Sequence, residues 1–295
     1  ETMSELQISH LTKEYGTVCA LQDVSVNFGE NKIYGLLGRN GAGKTTLFNL
    51  ICSRLFPTQG EIRLDGKPVQ ENEAVLQDVF CMTEQQLYPE AMKVRELFRW
   101  IKEFYPTFDQ DHAWELARKF GLKTNRRLNE LSTGYSTIVK LILALAVNTP
   151  FVLYDEPVLG LDANHRELFY RELLDDYMKR PKTVIISTHI IEEVSDLLEH
   201  VIILKGSRIA VDDAVENVLK RAYCVSGPQA AVEAYAQGRK CIGFDRIGAF
   251  ASAALLEEKT EEGNREIARL GLETSAVELQ KLFIYLTNGE EEVEA

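Results

Sequence analysis

The run Gly38-Arg39-Asn40-Gly41-Ala42-Gly43-Lys44-Thr45, followed by Thr46, constrains this chain more than any other stretch. It fits G-x-x-x-x-G-K-[ST], a pattern whose glycines let backbone N–H groups turn inward around phosphate. The setting agrees with the pattern. Ile33 to Leu37 is a short apolar run of the kind that forms a buried strand, and Lys44 to Arg54 can form the helix that follows. That helix brings its positive end to the same place. Lys44 can reach the β- and γ-phosphates of a nucleotide, and the Thr45 hydroxyl can ligate Mg²⁺. Gly38, Asn40, Gly41, Gly43, Lys44, Thr45 and Thr46 are therefore the expected phosphate contacts of an α/β core.

A phosphate loop calls for acidic partners. Phe151-Val152-Leu153-Tyr154 is a second buried-strand pattern, and Asp155-Glu156 stands at its C-terminal end, where α/β sheets bind their ligands. Asp155 is placed to hold Mg²⁺ directly or through water, and Glu156 to accept a proton from an attacking water. Thr183 to Ser187 is a third such strand, ending in Thr188-His189. His189 either bonds a γ-phosphate and orients water or is a structural histidine. Glu84, just past the strand candidate Val79 to Met82, either helps hold Mg²⁺ or belongs to a plain turn. Ser132 and Gly134, ahead of a long helical run to Val147, offer a hydroxyl and free N–H groups or simply a helix cap. Tyr15, upstream of the phosphate loop, stacks on a nucleobase or is an ordinary strand aromatic. Gly160-Leu161-Asp162 reads as a turn, with a helix from about Asn164 to Met178.

The rest of the pattern fills in around these segments. Leu6, Ile8 and His10 alternate as on a strand, as do Val24, Val26 and Phe28, and Asp65-Gly66 reads as a tight turn. Val94 to Phe104 and Asp109 to Phe120 have helical spacing, so residues 86–148 read as a helical insertion. Beyond Asp213 come a short helix to about Arg221, a strand at Tyr223 to Gly227, and a helix over Ser275 to Leu286. Glu290, Glu291, Glu292 and Glu294 make an acidic end expected to be disordered. The expected division is 1–212 and 213–295. A net charge of -12 disfavours non-specific nucleic-acid binding. Five cysteines without paired spacing suit a reducing compartment. No leader pattern opens the chain, and its most apolar helical run, Ile138 to Val147, is too short for a bilayer.

In order and spacing these segments resemble the ATP-binding subunits of ABC transporters, over about Leu6 to Asp212. GRNGAGKT resembles the Walker A motif and FVLYDE the Walker B motif. LSTGY at Leu131 to Tyr135 takes the place of the LSGGQ signature, Gly160-Leu161-Asp162 that of the D-loop, and His189 that of the switch histidine. Tyr15 falls where an adenine-stacking aromatic is expected. Two departures stand out: Thr133 and Tyr135 replace a glycine and a glutamine of the signature, and the Q-loop glutamine aligns best with Glu84, with Gln85 one residue away. The resemblance implies a P-loop NTPase core of ABC type with an inserted helical subdomain. It implies Mg²⁺-dependent ATP hydrolysis, with Ser132 and Gly134 acting across a head-to-tail homodimer or heterodimer and Asp162 among the nucleotide contacts. The ending LQKLFIYLT resembles bacterial exporter ATPases of ABC-2-like type with a small C-terminal α+β appendage. The expectation is a peripheral protein at the cytoplasmic face, powering export through separate membrane subunits. The alternatives are a soluble ABC-type ATPase acting on nucleic acid or ribosomes, and a non-hydrolysing ATP-gated regulator.

Overall fold

β1 (Glu5–Tyr15) and β2 (Val18–Gly29) open the computed structural model as an antiparallel hairpin. The model describes residues 4–85 and 87–288; the expected acidic end, the first three residues and Gln86 lie outside them. Leu6 and Ile8 are buried, as alternation predicts, but His10 is not. The pairing slips between Ile8 and Leu11, His10 takes a φ of 49°, and Leu11 fills the inward position. The bulge has a cause on the facing strand. A Cβ on Gly60 would lie 2.3 Å from the His10 carbonyl oxygen, so the two backbones meet only because residue 60 has no side chain.

β3 (Ile33–Gly38) is buried along its whole length, and α1 (Lys44–Ile51) follows the phosphate loop, ending short of the expected Arg54. β4 (Gln59–Leu64) and β5 (Lys67–Pro68) form a hairpin through Asp65-Gly66, both at positive φ. This is the backbone demanded by a two-residue turn between twisted strands. α2 (Glu73–Leu76) leads to β6 (Val79–Met82). Then come α3 (Val94–Phe104), α4 (Gln110–Lys119) and α5 (Thr133–Ala146), packed on one another. Asp109 caps α4 by accepting from His112 N at 3.0 Å. Phe98 meets Trp114 edge-on at 5.3 Å between α3 and α4. The chain returns through β7 (Phe151–Asp155), α6 (Ala163–Lys179), β8 (Thr183–Thr188), β9 (His200–Lys205) and β10 (Arg208–Ala214).

Two sheets result. One is antiparallel, in the order β2-β1-β4-β5; the other has six strands, in the order β10-β9-β3-β8-β7-β6. Within the second, β3, β8, β7 and β6 run parallel. Their near-continuous apolar sequences are what a parallel sheet covered on both faces requires. In β7 the side chains of Phe151, Val152, Leu153 and Tyr154 are all buried. Phe151, Val152 and Leu153 are each worth about 1.5–3 kcal/mol, and together with Tyr154 they fix the strand end that carries buried Asp155.

By its contacts the chain forms two units. The first is everything described up to His189 together with Ile202–Asp212; the second is Ile190–Val201 with the described residues 213–288. The second contains α7 (Val215–Lys220), β11 (Ala222–Pro228), α8 (Gln229–Ala236), β12 (Cys241–Ile247) and β13 (Phe250–Leu256). It ends with α9 (Glu261–Leu270), β14 (Glu273–Ala276) and α10 (Leu279–Thr287). Its sheet runs β12-β13-β11-β14 and packs Val225, Val232, Tyr235 and Leu255 into a core of its own. The expected helix from Ser275 is corrected here. Ser275 and Ala276 pair with Cys224 and Tyr223 in the sheet, so ladder hydrogen bonds claim them and the helix begins at Leu279.

Candidate functional site

The parallel register lines up four segments at one edge of the sheet. Leu37 pairs with Thr188, Asp155 with Ser187, and Met82 with Tyr154. The phosphate loop, His189, Glu156 and Glu84 therefore leave neighbouring strands at the same carboxyl end, the end at which open α/β sheets bind ligands.

The phosphate loop is shaped by crowding and by backbone sign. Gly41 and Gly43 have φ of 82° and 102°. A Cβ on Gly43 would lie 2.5 Å from the Ala20 carbonyl oxygen and 2.7 Å from Leu21 Cδ2. On Gly38 it would lie 2.9 Å from Ala42 Cβ. Lys44 is buried, and its ammonium donates to the carbonyls of Gly38 at 2.7 Å and Arg39 at 3.3 Å. Burial pushes its pKa down, while the charges of Glu156 and Asp155 pull it back up. Asn40, Gly41, Gly43, Lys44, Thr45 and Thr46 line a cavity of about 340 Å³ together with Glu84, Asp155 and Glu156.

Asp155 is 3% exposed. Ser187 Oγ donates to its Oδ1 at 3.0 Å, and the Thr45 hydroxyl bonds it as well. Burial raises its pKa, and these two hydroxyls oppose that. Glu156 follows in a left-handed conformation, φ 48°, its N–H held by the Ser187 carbonyl at 2.9 Å. That turn aims the carboxylate at two partners: Oε2 bonds His189 Nδ1 at 2.9 Å, and Oε1 lies 3.8 Å from Lys44 Nζ. Among the described residues no three His, Cys, Asp or Glu side chains are grouped to hold a metal by themselves. The oxygen donors Thr45 and Asp155 fit Mg²⁺ of the kind that takes its remaining ligands from phosphates and water.

The signature segment opens a second cavity of about 540 Å³, which shares Thr83, Glu84, Asp155 and Glu156 with the first. Ser132 is the N-cap of α5, accepting weakly from Tyr135 N at 3.4 Å. A Cβ on Gly134 would lie 3.2 Å from the Gly160 carbonyl oxygen. Asp162 caps α6 and accepts from His165 N at 2.9 Å. Ser132, Gly134 and Asp162 do not line the phosphate-loop cavity. Nor does Tyr15, which is exposed on the β1–β2 hairpin with the Lys13 ammonium 4.9 Å over its ring. The Glu84 side chain is exposed, and its carbonyl oxygen accepts from Lys140 of α5.

Ser187, Lys140 and His165 carry no motif of their own and were not singled out in the sequence. Ser187 becomes visible only once the strand register puts it beside Asp155. Lys140 interrupts an apolar helical run, the one local sign that it has a polar task.

Comparison with known proteins agrees with this geometry. The ABC transporter family model matches residues 21–159. The ABC transporter ATP-binding protein NatA of Bacillus subtilis is 32% identical, over 68% of this chain and 84% of its own. The ABC transporter ATP-binding protein YtrB of the same organism is 29% identical, over 73% and 75%. Export and uptake systems both occur among further relatives. A solved ATP-binding subunit of an ABC transporter superposes with a TM-score of 0.67 at 22% identity, covering 72% of this chain and 91% of that one, a likeness of fold. With its phosphate loop, its acidic strand end and these relatives together, the chain belongs to the ATP-binding proteins of ABC transporters and is an ATPase.

Proposed function

We propose that this chain is the ATPase subunit of an export system, paired with a second ATPase chain and docked on separate membrane subunits at the cytoplasmic face. The observation that carries the catalytic part is the convergence of Lys44, Glu156 and His189 across three neighbouring strands. Gly38, Asn40, Gly41 and Gly43 present backbone N–H groups to the phosphates, Lys44 supplies positive charge, and Thr46 continues the helix N-terminus. Tyr15 stacks on the base. Thr45 and Asp155 hold Mg²⁺, with Glu84 at the rim; the ion, when bound, screens the phosphate charge and fixes its geometry. Glu156 takes the proton of the attacking water, and His189 keeps the carboxylate aimed. Ser132, Gly134 and Asp162 stand away from the phosphate-loop cavity of their own chain, which suits groups that act on ATP held by a partner.

No helix among the described residues is long and apolar enough to cross a membrane. The membrane path therefore belongs to partner chains in this reading. A 410 Å³ groove beside α3, with Leu87, Trp100 and Phe104 exposed, gives the helical segment an apolar face to dock with. Export over uptake rests on the C-terminal LQKLFIYLT segment. The net charge of -12 speaks against the nucleic-acid alternative.

The test is Glu156→Gln. Shape is kept and the base is lost, so single-turnover phosphate release should fall about 10²–10⁴-fold while Mg-ATP still binds. Wild-type release by the variant removes Glu156 from the role. Equally slow release by the unmodified chain, even with its membrane partner, points to the regulatory reading and implicates Thr133 and Glu84.

A further inference from the structure

The signature segment and the loop that follows Glu156 touch at three points within one chain. Gly134 approaches the Gly160 carbonyl so closely that a Cβ would lie 3.2 Å from it. Thr137 Oγ1 donates to the Leu159 carbonyl at 3.4 Å. The third point is made of side chains. The Tyr135 ring meets the His165 ring edge-on, centroids 6.1 Å apart at 67°. His165 also lies nearly parallel to Phe120, at 6.2 Å and 11°. Phe120 is fully buried, so the wall behind the imidazole is fixed.

His165 in turn holds both oxygens of Asp162. Its backbone N–H donates to Oδ1 at 2.9 Å, and its Nδ1 lies 2.9 Å from Oδ2. A helix cap needs only the first of these bonds; the second fixes the plane of the carboxylate. The consequence concerns Tyr135, where the signature departs from its usual glutamine. An amide there presents no ring edge to the imidazole, whereas tyrosine does.

We propose that His165 is a positioning residue: packed against both Tyr135 and Phe120, it sets Asp162 at a fixed distance from Ser132 and Gly134. Both groups then reach a partner's nucleotide as one rigid block. This rests on the reading of Ser132, Gly134 and Asp162 as partner-facing groups.

The test uses Tyr135→Ala, His165→Ala, their double variant and Tyr135→Phe, with two readouts. The first is hydrogen exchange of the Leu159–His165 amides without nucleotide, which both alanine variants should speed. The second is steady-state hydrolysis. Turnover should fall by up to about tenfold, the scale of losing one aromatic contact, with KM for Mg-ATP unchanged. The double variant should be no worse than the poorer single, and Tyr135→Phe, which keeps the ring, should recover most of the loss. Wild-type exchange, wild-type turnover, or losses that multiply in the double variant overturn the proposal. Should His165→Ala misfold, Tyr135→Gln carries the test: faster exchange at 159–165 supports the clasp, and wild-type exchange refutes it. Lys44→Ala run in parallel should abolish turnover yet leave that exchange unchanged. A failed ATPase assignment and a failed clasp thus give different results.

Discussion

The two ends of the cleft beside the parallel sheet are held by different forces. At the phosphate-loop end the contacts are charged and close on one another: Lys44 faces Glu156, Glu156 bonds His189, and buried Asp155 is tied to Ser187. At the signature end backbone approaches and ring packing, Gly134 against Gly160 and Tyr135 against His165, accompany a polar pair, Asp162 with His165. There the Ser132 hydroxyl does no more than cap its own helix, at 3.4 Å. In the proposed reading the first end carries within one chain the groups that hold and cleave a phosphate. The second carries groups held in place but aimed at nothing in their own chain's phosphate loop. Charge sets the chemistry at one end, and packing sets the position at the other.

The comparison breaks most visibly at Lys44. Its ammonium is buried among its own loop carbonyls and two carboxylates. Lys44→Ala should lose steady-state turnover almost entirely and weaken ATP binding, measured by nucleotide titration. Normal binding and turnover in that variant would mean the charged end is not where ATP is held.

Ser187 gives a smaller and sharper effect. Among the described residues, Ser187→Ala leaves the Thr45 hydroxyl as the remaining side-chain bond to Asp155. A hydrogen bond to a charged group is worth about 1.5–3 kcal/mol, so a loss of turnover of about ten- to a hundredfold is expected. Raising Mg²⁺ should restore part of it if the carboxylate has lost its aim. A variant indistinguishable from wild type across a Mg²⁺ titration would show that Asp155 needs no such support. The aromatic clasp at the signature end should give effects of similar or smaller size.

The charged end was legible in the sequence because its signals are local. A glycine-rich loop between strand and helix, and two acids after four apolar residues, state their geometry within a few positions. The parallel core was legible for the same reason, since apolar runs such as Ile33 to Leu37 have no solvent face. What escaped depends on register and on distant partners. His10 turned outward because of Gly60, and Ser275 joined a strand because β11 was there to pair with it. The bonds from Ser187 to Asp155 and from Lys140 to Glu84, and the clasp on His165, link residues whose proximity exists only after folding. Thr133 and Tyr135 could be seen as departures, but Tyr135's aromatic partner could not.

In the proposed pairing, the charged end of one chain is completed by the packed end of another. Mixing a Ser132→Arg chain with a Lys44→Ala chain tests it most directly. Each variant alone has only defective sites, but a mixed pair has one site with an intact Lys44 facing an intact Ser132. With formation of the mixed pair verified by differential tags, ATP hydrolysis should rise above that of either variant alone. No rise, with mixed pairs present, would contradict the claim and leave each site working within its own chain.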